Sequence, residues 1–270
     1  NRKARNANRK INAAGAAAKQ ASKQLQKKQS EQDSQIKSLT KKTDDQARAK
    51  YLFAASVRWN GGSYERTRQA FGALESALEL GKGTPWYDDA LWDLAQWAES
   101  PGIPDVGEDG NWRYVPDYPK ALALYRRYVE EFQKGQAARW DDAKQGIERI
   151  TRVEVSVAVP SAFLPGSEAG FTLAWRNAAK VDVALYALDL ANAVDLASEQ
   201  DTSASAWLER VSTAGRERVR SFTHETKDDG KHVPGSTELD LGAALAPGAY
   251  LLEATAGGAR SRELVLVGRT

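Results

Sequence analysis

The stretch Thr151-Arg-Val-Glu-Val-Ser-Val-Ala-Val-Pro160 decides how this chain is read. In it Val153, Val155, Val157 and Val159 alternate strictly with other residues, the period of one face of a strand. Just upstream, Leu122, Tyr125, Val129 and Phe132 recur three and four apart, the spacing of one face of a helix. The chain is therefore read as multidomain, α then β. Three segments are expected: a basic arm over 1–43, helical hairpins over 44–150, and an all-β half over 151–270.

Working outward to the amino terminus, residues 1–50 are rich in Ala, Gln and Lys and contain no Pro, a composition that favours one long helix. Ile11, Ala18, Leu25, Gln32 and Leu39 fall seven apart, with Ala14, Ala21, Lys28 and Gln35 between them. This is a heptad with a weak second position, whereas a strong coiled coil wants apolar residues at both. Ile11, Ala18, Leu25 and Leu39 are the candidate assembly residues. Residues 1–50 hold 14 Lys/Arg against 4 Asp/Glu, a net +10, and the remaining 220 residues hold 24 against 32, a net −8. Such a segment reads as a solvated helix leading into the next domain, as a helix docked on a partner chain, or as a contact for an anionic surface. The arm carries no aromatic residue, which argues against base stacking and so against nucleic acid.

From Thr43 to Ile150 the punctuation marks out helices. Asp44-Asp45 is read as the cap of a helix ending near Trp59, Asn60-Gly-Gly-Ser63 as a break, and Tyr64–Leu80 as the next helix. After Gly81-Lys-Gly-Thr-Pro85 come Trp86–Glu99, a loop from Ser100 to Pro116, then helices over Tyr118–Phe132 and Arg139–Ile150. Gly62-Ser63-Tyr64 with Phe71, and Asp117-Tyr118 with Ala121 and Tyr125, resemble tetratricopeptide repeats; Thr67 departs from the pattern where Ala is expected. Aromatics crowd this region. Trp59, Tyr64, Trp86, Trp92, Trp112 and Tyr118 are the candidate protein-docking residues, weighed against service as core between helix layers.

After Thr151 the strands expected are Val153–Val159, Phe171–Trp175, Val181–Leu188, Arg218–His224, Glu238–Leu241, Tyr250–Thr255 and Arg262–Val267, with a short helix or crossover over Ser203–Val211. Seven short strands predict an antiparallel, seven-stranded β-sandwich of immunoglobulin-like type. Leu164-Pro-Gly-Ser167, Phe171-Thr-Leu-Ala-Trp-Arg-Asn177, the Val181–Asp189 run, Leu245-Ala-Pro-Gly-Ala-Tyr-Leu-Leu-Glu253 and Gly257-Gly258 resemble a macroglobulin domain of bacterial alpha-2-macroglobulins. That resemblance implies a role in a protease-trapping assembly, a periplasmic or cell-surface location, and protein partners. It carries over no catalytic position, since the family's thioester needs a Cys and the chain has none.

Composition bounds the chemistry further. At 41% hydrophobic and 27% charged the chain reads as globular, and no apolar run approaches the roughly 18 to 20 residues of a membrane span. The absence of Cys excludes disulfides, thiolate metal sites and a cysteine nucleophile within these residues. Without Met, and beginning at Asn, the chain reads as processed or as a fragment, with no secretory signal at its basic start. His224, Glu225, Asp228, Asp229 and His232 are read as a charged turn and not a metal site, and Ser221, His224 and Asp228 lack the turn of a nucleophilic triad. Asp88-Asp89 and Asp141-Asp142 are read as helix-start acids. No enzyme, cofactor or metal is expected. The alternative to a trap component is a structural subunit of a filament or cell-envelope assembly that uses the amino-terminal helix for subunit contacts.

Overall fold

A computed structural model describes residues 2–159, 162–190, 204–242 and 245–268, with side chains from residue 19 onward except those of 204–205. The chain divides into two compact units, 1–116 and 117–270. The change from helix to strand at Thr151 therefore falls inside the second unit, which takes the last two long helices together with the sheets that follow.

In the first unit, α1 (Arg2–Asn60) is one uninterrupted helix of 59 residues, about 90 Å at 1.5 Å per residue. The expected cap at Asp44-Asp45 does not exist, because no Gly or Pro between Gly15 and Gly61 interrupts the run. Asn60-Gly-Gly-Ser63 does end it, and Gly61 takes φ +72°, a region open to glycine. The Ser63 hydroxyl then accepts from the Arg66 amide at 3.3 Å, capping α2 (Tyr64–Glu79). Helix α3 is Tyr87–Glu99. Ala47, Ala54 and Val57 of α1, Ala70, Phe71, Leu74 and Ala77 of α2 and Leu91, Leu94 and Trp97 of α3 are all buried, and the Phe71 and Trp97 rings meet edge to face at 5.8 Å. Thr67, where the repeat pattern wants Ala, is fully buried, and its hydroxyl has no hydrogen-bond partner.

The expected loop over 100–116 is corrected: it holds a two-stranded antiparallel hairpin, β1 (Ile103–Val106) and β2 (Trp112–Val115). Each strand has only four residues, too few for a period to stand out between Pro104, Gly107 and Gly110.

In the second unit, α4 (Tyr118–Glu131) and α5 (Trp140–Thr151) form an antiparallel hairpin. Asp117 caps α4 by accepting from the Lys120 amide at 3.0 Å. Trp140 donates its indole N–H to the Phe132 carbonyl at 2.9 Å, fixing the turn between the helices. Among the described residues, the strands that follow are β3 (Glu154–Ala158), β4 (Gly170–Arg176), β5 (Lys180–Leu188), β6 (Arg218–Glu225), β7 (Gly235–Asp240), β8 (Gly248–Ala256) and β9 (Ala259–Val267), with a short helix α6 (Ala204–Arg210) before β6.

The α-then-β order stands, but the single seven-stranded sandwich does not. The strands fall into separate sheets: two-stranded β1-β2, three-stranded β3-β4-β7 and four-stranded β6-β5-β8-β9. Period-2 alternation reveals a strand's buried face, yet says nothing about which neighbours share its hydrogen bonds. Phe171, Leu173 and Trp175 of β4 share one apolar cluster with Val181, Val183 and Leu185 of β5 and Leu252 and Ala254 of β8. The other face of the four-stranded sheet is covered by α6 and the turn after it, where Leu208 and Val211 meet Tyr186, Leu188 and Leu251.

Candidate docking surface

The six aromatics singled out for docking do not form one site. Trp59 projects from the end of α1, 87% exposed. Trp86 is half-buried in an internal brace: its ring lies 5.3 Å from Tyr51, and the Arg48 guanidinium sits 6.0 Å from its centroid. Burial, reinforced by the carboxylates of Asp93 and Asp89, pushes the Tyr51 phenol up to about 12. Asp93 also accepts from Arg58 at 3.3 Å, so these groups tie α1 to α3. Trp92 is half-buried on α3. Tyr118 belongs to the second unit, with the Arg176 guanidinium stacked 4.7 Å from its ring.

Only Tyr64 and Trp112 come together. Their rings lie 6.2 Å apart, and Tyr114 extends the row 5.4 Å beyond Trp112. The hairpin register pairs Val106 with Trp112 and Pro104 with Tyr114, so these four share one face of the β1-β2 ribbon. Trp112 and Val106 are exposed while Tyr64, Tyr114 and Pro104 are half-buried. The tip adds Glu108 and Asp109, while Asp105 pairs with Arg113 on the opposite face of the ribbon. The result is an aromatic platform with an acidic margin. Tyr114 and Val106 were legible only once the hairpin register was known.

The arm residues have a different setting. Leu25 and Leu39 are exposed at 67% and 65%, and Ile36 joins them at 61%. Ile11 and Ala18 lie in the same helix, but their side chains are outside the described residues.

The polar groups of the second unit serve structure. Asn177, at φ +57° in the β4–β5 turn, donates to the carbonyls of Ile150 and Arg152 at 2.8 and 2.7 Å, closing the carboxyl end of α5. Its Oδ1 meets the His232 ring at 2.6 Å. His224 lies against Trp175 at 5.7 Å, and the Asp228 carboxylate accepts from the Gly230 amide. Both histidines are thus partnered and half-buried, not carried on an open turn. Among the described residues, no group of three or more His, Cys, Asp or Glu is placed to hold a metal ion. Asp88-Asp89 and Asp141-Asp142 occupy the first turns of α3 and α5, where they favour the helix dipole, although neither helix has a side-chain cap. Among the described residues, no helix is long and apolar enough to cross a membrane.

No protein-family model matches the chain, and no curated protein matches it. Among solved structures, the CARDB domain of a Pyrococcus furiosus protein in complex with di-metal ions is 10% identical, covering 43% of this chain and 88% of that one at a TM-score of 0.24. The sulfur carrier protein SoxY from Chlorobium limicola f thiosulfatophilum is 13% identical, with coverages of 49% and 98% and a TM-score of 0.22. The bacterial hydrophobin BslA is 14% identical, with coverages of 44% and 96% and a TM-score of 0.21. Scores this low identify no shared fold.

Proposed function

We propose that this chain is the non-catalytic amino-terminal portion of a bacterial alpha-2-macroglobulin-like protease trap, periplasmic or at the cell surface, with its helical unit as a protein-docking scaffold. The observation that supports the reading is the turn Leu245-Ala-Pro-Gly-Ala-Tyr250, the proline-glycine-aromatic strand entry on which the resemblance rests. Tyr250 is buried and donates its hydroxyl to the Ala246 carbonyl at 2.7 Å, and β8 runs from this corner between β5 and β9. The test is to express the whole reading frame that contains this chain and offer it an active protease. The expected product retains protease activity on small chromogenic substrates while shielding it from large protein substrates. A polypeptide that leaves activity on both unchanged overturns the reading.

A second reading, a structural subunit that assembles through α1, is favoured by one feature. The face of α1 that Ala47, Ala54 and Val57 bury continues outward as Leu39, Ile36 and Leu25, all exposed.

A further inference from the structure

We infer that the exposed arm of one copy docks on the β1-β2 aromatic platform of a second copy, a head-to-tail contact that names the partner in the assembly reading and rests on it. On a helix turning 100° per residue, Ala21, Leu25, Gln32, Ile36 and Leu39 fall on the face that Ala47, Ala54 and Val57 bury further along. An apolar stripe continuous with a packed face needs apolar cover. Lys28 and Lys42 follow Leu25 and Leu39 by three residues and so border the stripe. Its complement is an apolar surface with an acidic margin, which is what Trp112, Val106, Tyr64 and Tyr114 with Glu108 and Asp109 at the hairpin tip provide.

The chain's own platform is out of reach. Contact between Tyr64 and Trp112 ties the platform to the start of α2, four residues past the end of α1. Because α1 is unbroken, Leu39 and Leu25 lie about 30 and 50 Å from that end along the helix axis. Along one continuous helix the stripe is held away from that platform, so the contact forms between copies. Arm-to-arm pairing would place two basic segments side by side, whereas residues 51–116 carry 5 Lys/Arg against 10 Asp/Glu. A contact between two different patches is heterologous and propagates, giving chains of copies unless the geometry closes a ring.

Sedimentation velocity of the full chain across a concentration series at low salt tests this. The expected result is concentration-dependent assembly that weakens as salt is raised. The arm variant L25Q/I36Q/L39Q and the platform variant E108K/D109N change only exposed side chains, and each alone should sediment as a monomer. Mixed, they should form a one-to-one heterodimer and nothing larger, since the mixture holds one intact arm and one intact platform. Adding K28E/K42E to the platform variant should restore assembly. Assembly that survives E108K/D109N overturns the platform as partner while leaving assembly through α1 intact. A full chain that stays monomeric at every concentration overturns both.

Discussion

Arg262 donates to the carbonyls of Leu208, Glu209 and Val211 at 3.0, 3.1 and 2.8 Å and pairs with Glu253 at 2.6 Å. One guanidinium thereby closes the carboxyl end of α6 and pins the turn after it to the four-stranded sheet. Its side chain is only 4% exposed, so truncation would leave the Glu253 carboxylate and the Val211 carbonyl without this donor, while the Leu208 and Glu209 carbonyls keep the Val211 amide and Arg260. Arg262→Ala is expected to destabilise the second unit by about 3–4 kcal/mol, as for breaking a buried pair by removing one partner. Arg262→Lys should recover part of this, because an ammonium keeps the charge but cannot fork toward four acceptors. Urea unfolding measures both, and a loss below about 1 kcal/mol for the Ala variant would contradict the assignment. Nothing local in the sequence marks this residue. Its carbonyl partners lie more than fifty positions away, as the Ile150 partner of Asn177 lies twenty-seven away. The strand that holds Arg262 was legible from its alternation, while its role depended on which elements the fold brings together.

Helix interiors show how neighbours override intrinsic preference. Gly146 sits inside α5, and a Cβ there would lie 2.8 Å from the ring of buried Tyr125 on α4. Gly72 sits inside α2, where an added Cβ meets nothing within 4 Å. Propensity alone says that Ala improves both by about 1 kcal/mol. Packing reverses the first: Gly146→Ala is expected to cost about 1–2 kcal/mol through overpacking, while Gly72→Ala gains about 0.5–1 kcal/mol. Thermal unfolding of the two variants should therefore shift in opposite directions. Tyr51 gives the α1–α3 contact a pH dependence. Its phenol is raised to about 12 in the fold against about 10 in an unfolded chain, so folding favours the protonated form. The stabilisation is complete below about pH 10 and is lost as pH rises toward 12. Unfolding of the first unit monitored between pH 9 and 12 should show that decline, and Tyr51→Phe should flatten it. Helix identity was readable from spacing at this scale. The continuity of α1 was not, because Asp44-Asp45 resembles a cap although only a breaker can start a helix anew.

Across the whole molecule, stability is distributed unevenly along one uninterrupted element. The last part of α1 is locked by Ala47, Ala54 and Val57, each at most 2% exposed, whereas residues 19–42 have every side chain exposed. A helix without tertiary cover is held by little beyond its own backbone bonds, which are marginal in water even for favourable sequences. Amide exchange in dilute solution should therefore be fast over 19–40 and slow over 47–58, with the gradient falling near residue 43 and no break in the helix. Uniform protection from residue 19 to 58 in the monomer would show that the arm is already covered. The same measurement connects order to assembly. At concentrations where copies associate, docking on a second platform would bury Leu25, Ile36 and Leu39, and slow exchange should extend back toward residue 21. L25Q/I36Q/L39Q should abolish that extension while leaving protection of 47–58 unchanged, because the substituted side chains have no part in the chain's own core. A stripe that stays fast-exchanging at every concentration would mean the arm gains no cover from other copies, and its apolar face would then need a partner of another kind.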